Sequence, residues 1–364
     1  MSKIVIDARQ LKTSTGRYME RLLHYLQELD NENSYTILLK PKDFDEWQPT
    51  NRRFHKLACP YKEFTFNEQL GLLAQVHETK PDLVHFGMIQ QPIFYFGHVV
   101  TTMHDLTTAR FGNPSKNKII FAIKQLVYKL VIKVVATKSK VIITPSEFVK
   151  NDLAKFARIN SRKIVVTYEG SDKISEASEP ITELQDKKFI FYIGRPTPHK
   201  NLYRLITSFA ELKKDNPDLI LVLAGKKDAN YKKIAKWVED KAIEDVVFTG
   251  FISDGQLRWM YENTQAYVFP SLSEGFGLPG LEAMRHGAPV ISSNATCLPE
   301  IYGDAAVYFD PMDVEDMTLK INSVLKSSVK AKNLVEKGFE QVKNYSWKKM
   351  AQETLDIYNL ILNS

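Results

Sequence analysis

The feature that most constrains the fold is an alternation of short apolar segments with helical segments, which runs along the chain and begins again near residue 189. In the first half, five apolar segments have the length and composition of buried strands: KIVIDA, SYTILLK, DLVHFG, VVTTMHDL and KVIITPS. Strands that alternate with helices favour a parallel sheet with helices on both faces. The first half is therefore predicted to be one α/β domain.

The same alternation reappears after a polar stretch at 169–188 that contains few apolar residues and is typical of a linker. Five more strands are predicted there: FIFYIG, LILVLAG, VVFTG, AYVFPS and APVISS. The expected fold is α/β, with two Rossmann-like doubly wound domains facing across a cleft, where open α/β sheets bind ligands. The first domain is predicted at 1–170, the linker at 171–188 and the second domain at 189–345. A C-terminal helix at 346–364 either closes the second domain or crosses back to the first.

Composition excludes several classes of protein. The chain has 364 residues, of which 44% are hydrophobic and 25% are charged, as in ordinary folded proteins. Its two cysteines, Cys59 and Cys297, form no CxxC pair, and no cluster of metal ligands is visible. The first residues lack the apolar core of a signal peptide, and no apolar run is long enough to span a membrane. We expect a cytoplasmic protein in a reducing compartment.

Positive charge is concentrated in 110–163, where 13 Lys and Arg residues accompany two acidic residues. Such a region can meet nucleic acid, an anionic membrane or phosphorylated ligands, or it can be a solvated surface. On a helical wheel, segment 115–140 places several lysines on one arc and a set of Ile, Leu and Val residues on another. The segment is therefore either a helix packed on the first sheet or an interfacial helix at the inner face of a membrane. Nucleic acid is not expected as a partner.

The most informative stretch is SEGFGLPGLEAMRHGAPVISS at 273–293. Pro279 suits the start of a helix and Gly287 suits the position after its end, which predicts a short helix over 279–286. Glu274 then lies in the preceding loop and Glu282 in the first turn. Backbone N–H groups at a helix start hold oxyanions and hydroxyls, and carboxylates accept hydrogen bonds from sugar or ribose hydroxyls. Together they point to a nucleotide-sugar, although acids that merely cap the helix would give the same pattern.

A second motif lies upstream in YIGRPTPHKNLYRLI, at 192–206. A strand ends at Ile193, Gly194 allows a turn, and two cations, Arg195 and Lys200, flank a proline-rich loop. Asn201 is predicted to cap the next helix. A bidentate guanidinium and an ammonium at the carboxyl end of a strand suit a diphosphate group.

These two motifs resemble those of the retaining glycosyltransferases of family 4, which have a two-domain fold of the GT-B type. The resemblance covers nearly the whole chain and is strongest to the mannosyltransferase-like group 1 branch. Further segments similar to the family are DARQLKTSTGRYMERLL, TMHDLTTARF, VIITPSEFVKNDL, CLPEIYGDAAVYFDPMDVEDM and YSWKKMAQETLDIY. The resemblance implies that the first domain binds the acceptor and the second binds the nucleotide-sugar donor.

The resemblance also implies roles for particular residues. Arg195 and Lys200 would hold the donor diphosphate and stabilise its growing charge, with Gly194 turning the chain before them. Glu282 would accept from the ribose hydroxyls, and Glu274 would contact the transferred sugar. The turn that completes the sugar site consists of Gly275, Phe276, Gly277 and Leu278.

Three further assignments come from the same resemblance. Gly16 would approach the diphosphate from the first domain, and His104 would reach the sugar ring. Ile252 lies where the family packs the nucleobase. Retention would come from front-face attack, in which the departing phosphate takes the acceptor proton, so the two-carboxylate scheme of glycosidases does not apply.

The sequence departs from the usual family pattern in two places. The loop TSTGR has one glycine where many members have two, which affects its contact with phosphate. Gly280 stands where a larger apolar residue is usual, and looser packing under the loop is expected there. No metal or other cofactor is implied, and the single Asp-x-Asp match, Asp43–Asp45, is predicted to be a surface loop.

The leading hypothesis is a retaining, metal-independent hexosyltransferase acting in cell-surface polysaccharide synthesis, with GDP-mannose as the first donor to test and a glycan or lipid-linked sugar as acceptor. A nucleotide-sugar epimerase with the same two-domain fold is the first alternative, and a non-catalytic sugar-nucleotide-binding protein is the second. A Rossmann dehydrogenase is disfavoured because no GxGxxG follows the first strand.

Overall fold

A computed structural model describes residues 1–11, 16–111 and 118–364. The chain divides into two compact units, and each is described by itself. Unit 1 contains Met1–Gly170 together with Ser346–Ser364, and unit 2 contains Ser171–Tyr345. Residues 13–15 of the TSTGR loop and residues 115–117 of the basic segment lie outside the described residues.

Unit 1 is built on a parallel sheet of seven strands in the order β3-β2-β1-β4-β5-β6-β7. The strands are β1 Lys3–Asp7, β2 Ser34–Leu39, β3 Phe54–Ala58, β4 Leu83–Phe86, β5 Val99–Thr102, β6 Val141–Thr144 and β7 Ile164–Val166. The central strands β4 and β5 are buried along their whole length, as expected for strands covered on both faces.

The helices of unit 1 are α1 Gly16–Leu29, α2 Leu73–Glu78, α3 Thr107–Arg110, α4 Lys118–Lys138 and α5 Glu147–Ala157. A π-helical turn, Glu68–Leu72, precedes α2. Helix α5 begins where the Ser146 side chain accepts a hydrogen bond from the Val149 N–H, which satisfies one of the free donors of a helix start.

Unit 2 is built on a parallel sheet of six strands in the order β10-β9-β8-β11-β12-β13. The strands are β8 Lys188–Ile193, β9 Leu219–Ala224, β10 Val246–Gly250, β11 Ala266–Phe269, β12 Val290–Ser293 and β13 Ala306–Phe309. The helices are α6 Leu202–Asp215, α7 Ala229–Asp240, α8 Asp254–Asn263, α9 Leu278–Arg285, α10 Leu298–Tyr302, α11 Val314–Leu325 and α12 Ser328–Gln341.

The last helix, α13 Trp347–Leu362, belongs to unit 1, where it packs on α1 and β4. The buried hydroxyl of Tyr358 forms a short hydrogen bond with His85 Nδ1 in β4. A side chain at Gly170 would collide with the Trp347 backbone, so the chain passes close to the start of α13 there. The C-terminal helix thus completes the core of the first unit.

Segment 171–188, predicted as a linker, is mostly irregular and lies on unit 2. The His286 imidazole accepts from the Ile174 N–H at 3.2 Å, and the Gly255 carbonyl accepts from the Glu179 N–H at 3.1 Å. Leu184, in the short 3-10 helix Thr182–Leu184, is buried. This stretch is therefore fastened to unit 2 at a few points, although most of its side chains are exposed.

The sequence pattern missed three strands, β3, β7 and β13, and all three lie at sheet edges. Edge strands are half-exposed, and β3 carries His55 and Lys56 among its apolar residues, which hides the apolar run. The predicted helix 279–286 in fact runs from Leu278 to Arg285. Among the described residues, no helix combines the length and the apolar composition needed to cross a bilayer.

Candidate active site

The two predicted motifs lie at the switch point of the unit 2 sheet. From β8 the chain continues through β9 and β10 on one side, whereas β11, β12 and β13 lie on the other. The loops that follow β8 and β11 therefore leave from neighbouring strands at the same edge and diverge. A crevice at the carboxyl ends of strands, where the order reverses, is the usual ligand site of open α/β sheets.

The loop after β8 carries the predicted cations. Gly194 follows the strand, and the Arg195 side chain is exposed. The Thr197 N–H donates to the Arg195 carbonyl at 2.8 Å, and a 3-10 turn, Pro198–Lys200, follows. This turn carries Lys200 back toward the loop of the neighbouring strand.

Asn201 does not cap α6 as predicted. It occupies the N-cap position with a left-handed φ of 60°, and its side chain makes no capping hydrogen bond. Instead its amide donates to the Pro270 carbonyl at 3.1 Å and to the Pro311 carbonyl at 2.7 Å. The residue fastens the cationic loop to two other loops of unit 2, which the sequence spacing could not indicate.

The loop after β11, which Asn201 contacts at Pro270, meets the cationic loop through two further contacts. The Leu272 N–H donates to the His199 carbonyl at 2.7 Å, and Lys200 Nζ lies 2.5 Å from Glu274 Oε1. The side chains of Lys200 and Glu274 keep 18% and 14% of their exposure, so they are sheltered but reachable. The Glu274 N–H also donates to Thr296 Oγ1 at 3.1 Å. A cation and a carboxylate are thus held together at the switch point.

The turn between Glu274 and α9 is tightly packed. Gly275, Phe276 and Gly277 are buried, and Leu278 is half-buried. Phe276 makes an edge contact with Tyr345, with ring centroids 5.4 Å apart. Gly277 has a φ of 95°, a conformation that favours glycine. Helix α9 begins directly afterwards, so its first backbone N–H groups follow Glu274 by only a few positions in the chain.

Glu282 lies on α9 and is buried at 7% exposure. Its Oε2 accepts a long hydrogen bond of 3.5 Å from the Tyr261 hydroxyl. The Tyr261 ring stacks on His286, and burial lowers the pKa of His286 to about 4. The neutral His286 donates from Nδ1 to the Glu282 carbonyl at 2.9 Å, because Nε2 accepts from the Ile174 N–H. Helix α9 is therefore fixed from the side of α8 as well.

Packing under the turn is tight, and the looser packing expected at Gly280 was wrong. A Cβ at Gly280 would lie 2.3 Å from ring atoms of Tyr302, which fills the space that a larger residue would take. Tyr302 is fully buried, and its hydroxyl donates to the Gly277 carbonyl at 2.5 Å. The small residue and the large one complement each other and hold the turn in place.

Ile252 follows β10, which is the edge strand beside β9. Ile252 is buried, with 9% exposure. Its neighbour Phe251 is 87% exposed. Gly250, with a φ of 79°, turns the chain between the strand and these residues. An exposed aromatic ring beside a buried aliphatic side chain provides an apolar platform at the same edge of the sheet.

Two predicted site residues, His104 and Gly16, lie in unit 1. His104 follows β5, and its Nδ1 lies 3.4 Å from Glu169 Oε1. Its ring also makes an edge contact with Tyr18, at 4.9 Å between centroids. The adjacent Asp105 turns instead to the Thr107 N–H at 2.8 Å. Gly16 is the first residue of α1, where a Cβ would collide with the Leu11 carbonyl.

Three residues were missed that support predicted site residues: Glu169 beside His104, Thr296 beside Glu274, and Tyr302 under the turn. Glu169 stands at the start of the polar stretch 169–188, whose composition is typical of a linker, so nothing in the sequence indicates that Glu169 is buried. Thr296 and Tyr302 lie more than 20 positions after Glu274. Long sequence separation between contacting residues is the common reason why spacing could not find them.

The described residues contain no group of three or more His, Cys, Asp or Glu side chains placed to hold a metal ion. Asp43, predicted to lie in a surface loop, is buried at the end of the 3-10 helix Pro41–Asp43, whereas Asp45 is exposed. Cys59 and Cys297 are both free and buried. Burial raises the pKa of the Cys297 thiol, whose sulfur donates to the Glu274 carbonyl at 3.4 Å.

A chain with two α/β units, each built on a parallel sheet, has the fold of a glycosyltransferase of the GT-B class. The cation and carboxylate in contact at the switch point of unit 2 agree with this class. Family models agree over both units. The model described as glycosyl transferases group 1 matches residues 173–341, and that described as glycosyltransferase family 4 matches residues 15–174. The chain belongs to this family of glycosyltransferases, and the resemblance inferred from the motifs is confirmed.

Characterised relatives are similar over different shares of the chain. O-antigen chain mannosyltransferase B of Escherichia coli is 30% identical over 296 residues, which are 77% of this chain and 75% of the relative. The serotype-specific mannosyltransferase WbdA of Escherichia coli is 34% identical over 203 residues, which are 52% of this chain and only 24% of that protein. The O-antigen chain mannosyltransferase RfbU of Salmonella typhimurium is 28% identical over 61% of this chain and 60% of its own length.

Solved structures show the same fold at low identity. Sucrose-phosphate synthase from Thermosynechococcus elongatus has a TM-score of 0.78 at 18% identity, with full coverage of both chains. WaaG, a glycosyltransferase involved in lipopolysaccharide biosynthesis, has a TM-score of 0.73 at 14% identity and covers 97% of this chain and 99% of its own. Anabaena HepE in complex with UDP-glucose has a TM-score of 0.75 at 15% identity, covering 99% and 100%. The predicted fold class is therefore confirmed.

Proposed function

We propose that this glycosyltransferase moves a hexose from a nucleotide-diphosphate sugar to a glycan or a lipid-linked acceptor, with retention of the anomeric configuration and without a metal ion. The observation that carries the proposal is the contact between Lys200 and Glu274 at the switch point of unit 2. It joins a loop suited to a diphosphate and a loop suited to sugar hydroxyls, although 74 positions separate the two residues.

The proposed donor site uses the residues of unit 2. Arg195 and Lys200 hold the diphosphate, since a guanidinium can pair bidentately and an ammonium supplies a point charge. Glu274 accepts from the transferred sugar, and the backbone N–H groups of 275–278 bind its oxygens. Glu282 binds the ribose hydroxyls, and its burial strengthens such hydrogen bonds.

Ile252 is proposed to pack against the nucleobase, with the exposed ring of Phe251 beside it. Gly194 lets the chain turn sharply before the first cation. In unit 1, His104 is proposed to contact the sugar ring and Gly16 to approach the diphosphate. These two assignments come from the sequence resemblance and stay predictions.

The proposed reaction exchanges one C–O bond for another on the same face of the sugar. The bond between the anomeric carbon and the diphosphate oxygen breaks, while the acceptor oxygen forms its bond to the same carbon. The acceptor proton passes to the departing phosphate oxygen, so no protein base is needed. Arg195 and Lys200 stabilise the charge that develops on the diphosphate, a role that preorganised cations perform well. Because these cations compensate the charge, the proposal needs no metal.

Mannose is the first sugar to test, and GDP-mannose the first donor, because several relatives are named as mannosyltransferases. Two of those relatives are named for the O-antigen chain, which supports a growing cell-surface polysaccharide as acceptor. An acceptor of that kind, when lipid-linked, would bring the enzyme to the inner face of a membrane. We therefore also propose a cytoplasmic enzyme with peripheral membrane contact through 115–140.

The test is nucleotide release from a panel of GDP-, UDP-, ADP- and dTDP-sugars by the purified protein. We expect release from one donor and its loss in Lys200→Ala and Glu274→Ala. Lys232→Ala, which removes an exposed lysine of α7, is the matched control and should behave as the parent protein. Release that persists in both site variants would contradict the assignment of the switch-point loops.

Two finer points have separate measurements. The anomeric configuration of the first product, read by proton NMR before mutarotation, would be that of the donor if the reaction retains. Turnover in excess EDTA should equal turnover without it. Inversion at the anomeric carbon or loss of turnover in EDTA would each contradict one part of the proposal.

A further inference from the structure

The His104 ring is held from two sides inside unit 1. Its Nδ1 lies 3.4 Å from Glu169 Oε1, and its ring makes an edge contact with Tyr18, at 4.9 Å between centroids. The side chains of His104 and Glu169 keep 17% and 7% of their exposure. One nitrogen of the imidazole therefore faces a buried carboxylate, while the other, Nε2, is directed away from it.

Glu169 needs a donor of hydrogen bonds at this place. Within the described part of the chain it pairs with no lysine or arginine, and His104 is its basic neighbour. A buried carboxylate without a partner is costly, and an ionised carboxylate can only accept. The proton of the imidazole is thus favoured on Nδ1, facing Glu169. A neutral imidazole has one N–H group, so Nε2 is then an acceptor.

Tyr18, the other neighbour of His104, is fixed by a buried chain of hydrogen bonds. Its hydroxyl lies 2.9 Å from Thr102 Oγ1, and the same oxygen lies 2.8 Å from His85 Nε2. His85 Nδ1 in turn forms a short hydrogen bond with the Tyr358 hydroxyl of α13. These four side chains are buried. The ring that touches His104 is therefore set by the unit 1 core, which limits how far the imidazole can turn.

We propose that Glu169 is a positioning residue that keeps the proton of His104 on Nδ1, so that Nε2 accepts a hydrogen bond from a hydroxyl of the transferred sugar. The proposal rests on the proposed function, which puts His104 at the sugar ring. A carboxylate behind a histidine sets both the ring orientation and the protonated nitrogen. Since a site built to bind a hydroxyl rejects ligands that lack it, Glu169 thereby contributes to sugar specificity.

The first experiment observes the His104 ring directly and needs no substrate. Nitrogen-15 NMR of protein labelled at its eight histidines, at pH 8.5, distinguishes a protonated Nδ1 from a protonated Nε2. The variant His104→Gln identifies which signals belong to His104. We expect the proton on Nδ1 in the parent protein and on Nε2 in Glu169→Gln, because the new amide can donate to Nδ1.

The parent spectrum tests the proposal even if Glu169→Gln does not fold. A proton on Nε2 of His104 in the parent protein overturns the proposal. An unchanged His104 in a folded Glu169→Gln variant overturns it too, because the carboxylate would then not control the ring.

The second experiment compares the donor found by nucleotide release with its monodeoxy analogues. We expect the parent protein to reject one analogue by about a hundredfold or more in kcat/KM. Both Glu169→Gln and His104→Ala should lose about tenfold with the full donor, together with most of this discrimination. In the His104→Ala background, Glu169→Gln should have little further effect, because Glu169 acts through the histidine.

Asp30→Asn is the matched control, because Asp30 is also a buried carboxylate of unit 1 and is hydrogen-bonded to Tyr35 and Asn33. It should lower the melting temperature and leave the His104 signals and the discrimination unchanged. If Glu169→Gln behaves in the same way, or costs as much activity without His104 as with it, Glu169 serves only the fold and the proposal is wrong.

Failure of this proposal can be told apart from failure of the proposed function. Nucleotide release that persists in Lys200→Ala contradicts the donor site, whatever the NMR spectra show. Release that depends on Lys200 and Glu274 while Glu169→Gln keeps full discrimination contradicts only the role of Glu169.

Discussion

The two units have the same sheet architecture but use their switch points differently. In unit 1 the order reverses between β1 and β4, and in unit 2 between β8 and β11. At the end of β1, Arg9 donates to Asp7 at 2.7 Å and to Glu68 at 2.9 Å, and its side chain is fully buried. At the end of β8, Lys200 pairs with Glu274 but both keep some exposure.

Topology creates a switch point in both sheets, and the side chains determine whether the charged groups there are buried or reachable. Burial alone would lower the pKa of Arg9, but the charges and hydrogen bonds of Asp7 and Glu68 outweigh it and hold that pKa above its ordinary range. Burial raises the pKa of Glu68, against the effect of Arg9. A buried network of this kind, formed by Arg9, Asp7 and Glu68, stabilises the folded state. The reachable pair of unit 2 has the features of a binding site, and its loss should affect function more than stability.

The largest expected effect is therefore on the stability of unit 1. Arg9→Met leaves Asp7 and Glu68 buried without their cation, and breaking such a buried pair costs about 3–5 kcal/mol. Calorimetry should show the transition of unit 1 at a clearly lower temperature. Arg52→Met, at an exposed position, is the control. A transition that moves as little in Arg9→Met as in the control would show that the network does not hold unit 1 together.

The second expected effect is in unit 2, where activity should fall more than stability. Lys200→Met should reduce donor turnover by about 10²–10³, the usual cost of losing one preorganised group that stabilises developing charge. Its cost in stability should stay below that of Arg9→Met, because the Lys200–Glu274 pair keeps part of its exposure. Steady-state nucleotide release and calorimetry on the same sample give both numbers. If Lys200→Met destabilised unit 2 as strongly as Arg9→Met destabilises unit 1, the contrast between the switch points would fail.

A smaller effect tests how the turn of unit 2 is supported. Gly280→Val places a side chain where the Tyr302 ring lies, and overpacking of this kind costs about 1–3 kcal/mol. We expect a lower melting temperature of unit 2 and a higher KM for the donor. Combining it with Tyr302→Val should recover part of both losses, because the smaller residue makes room.

The double variant also decides whether the two positions act as a pair. Coupling between touching residues shows as non-additive free energies in a double-mutant cycle. Tyr302→Phe, which keeps the ring and removes the hydrogen bond to the Gly277 carbonyl, separates packing from positioning. Strictly additive changes in the cycle would contradict the complementarity of Gly280 and Tyr302.

The smallest effect concerns pH and applies to both units. Burial lowers the pKa of His85 in unit 1 to about 3 and that of His286 in unit 2 to about 4, from an ordinary 6.5. Below pH 6.5 each of these histidines is protonated in the unfolded chain but neutral in the folded chain. The free energy of unfolding therefore falls as the pH drops from 6.5 toward the folded pKa values, and above pH 6.5 this loss is absent. Between pH 7.5 and 5.5 each histidine should cost its unit about 1.4 kcal/mol.

Urea unfolding at the two pH values measures this loss. His286→Gln should flatten the pH dependence of unit 2 and leave that of unit 1 unchanged, and His85→Gln should do the converse. A pH dependence that survives in both variants would assign the effect to other groups.

Sequence reasoning found the interiors of both sheets, since strands buried on both faces are nearly continuous apolar runs. It missed β3 because His55 and Lys56 interrupt the apolar run, and it missed β7 and β13 because these strands are only three and four residues long. It also found both loops of the unit 2 switch point, since glycine, proline and charge at the end of a strand are visible in the sequence itself. It predicted the wrong contacts for Asn201 and Gly280, whose partners Pro311 and Tyr302 lie far along the chain.

The repeated α/β pattern, the family and the residues available for chemistry can be read from the sequence, because they depend on local composition and order. Tertiary packing alone places Lys200 against Glu274 and buries Arg9 between two carboxylates. It also adds α13 to unit 1 and leaves the apolar face of α4 exposed. Each of these depends on contacts between residues distant in the chain, and burial and pairing of that kind follow from how elements pack rather than from the residues nearby in sequence.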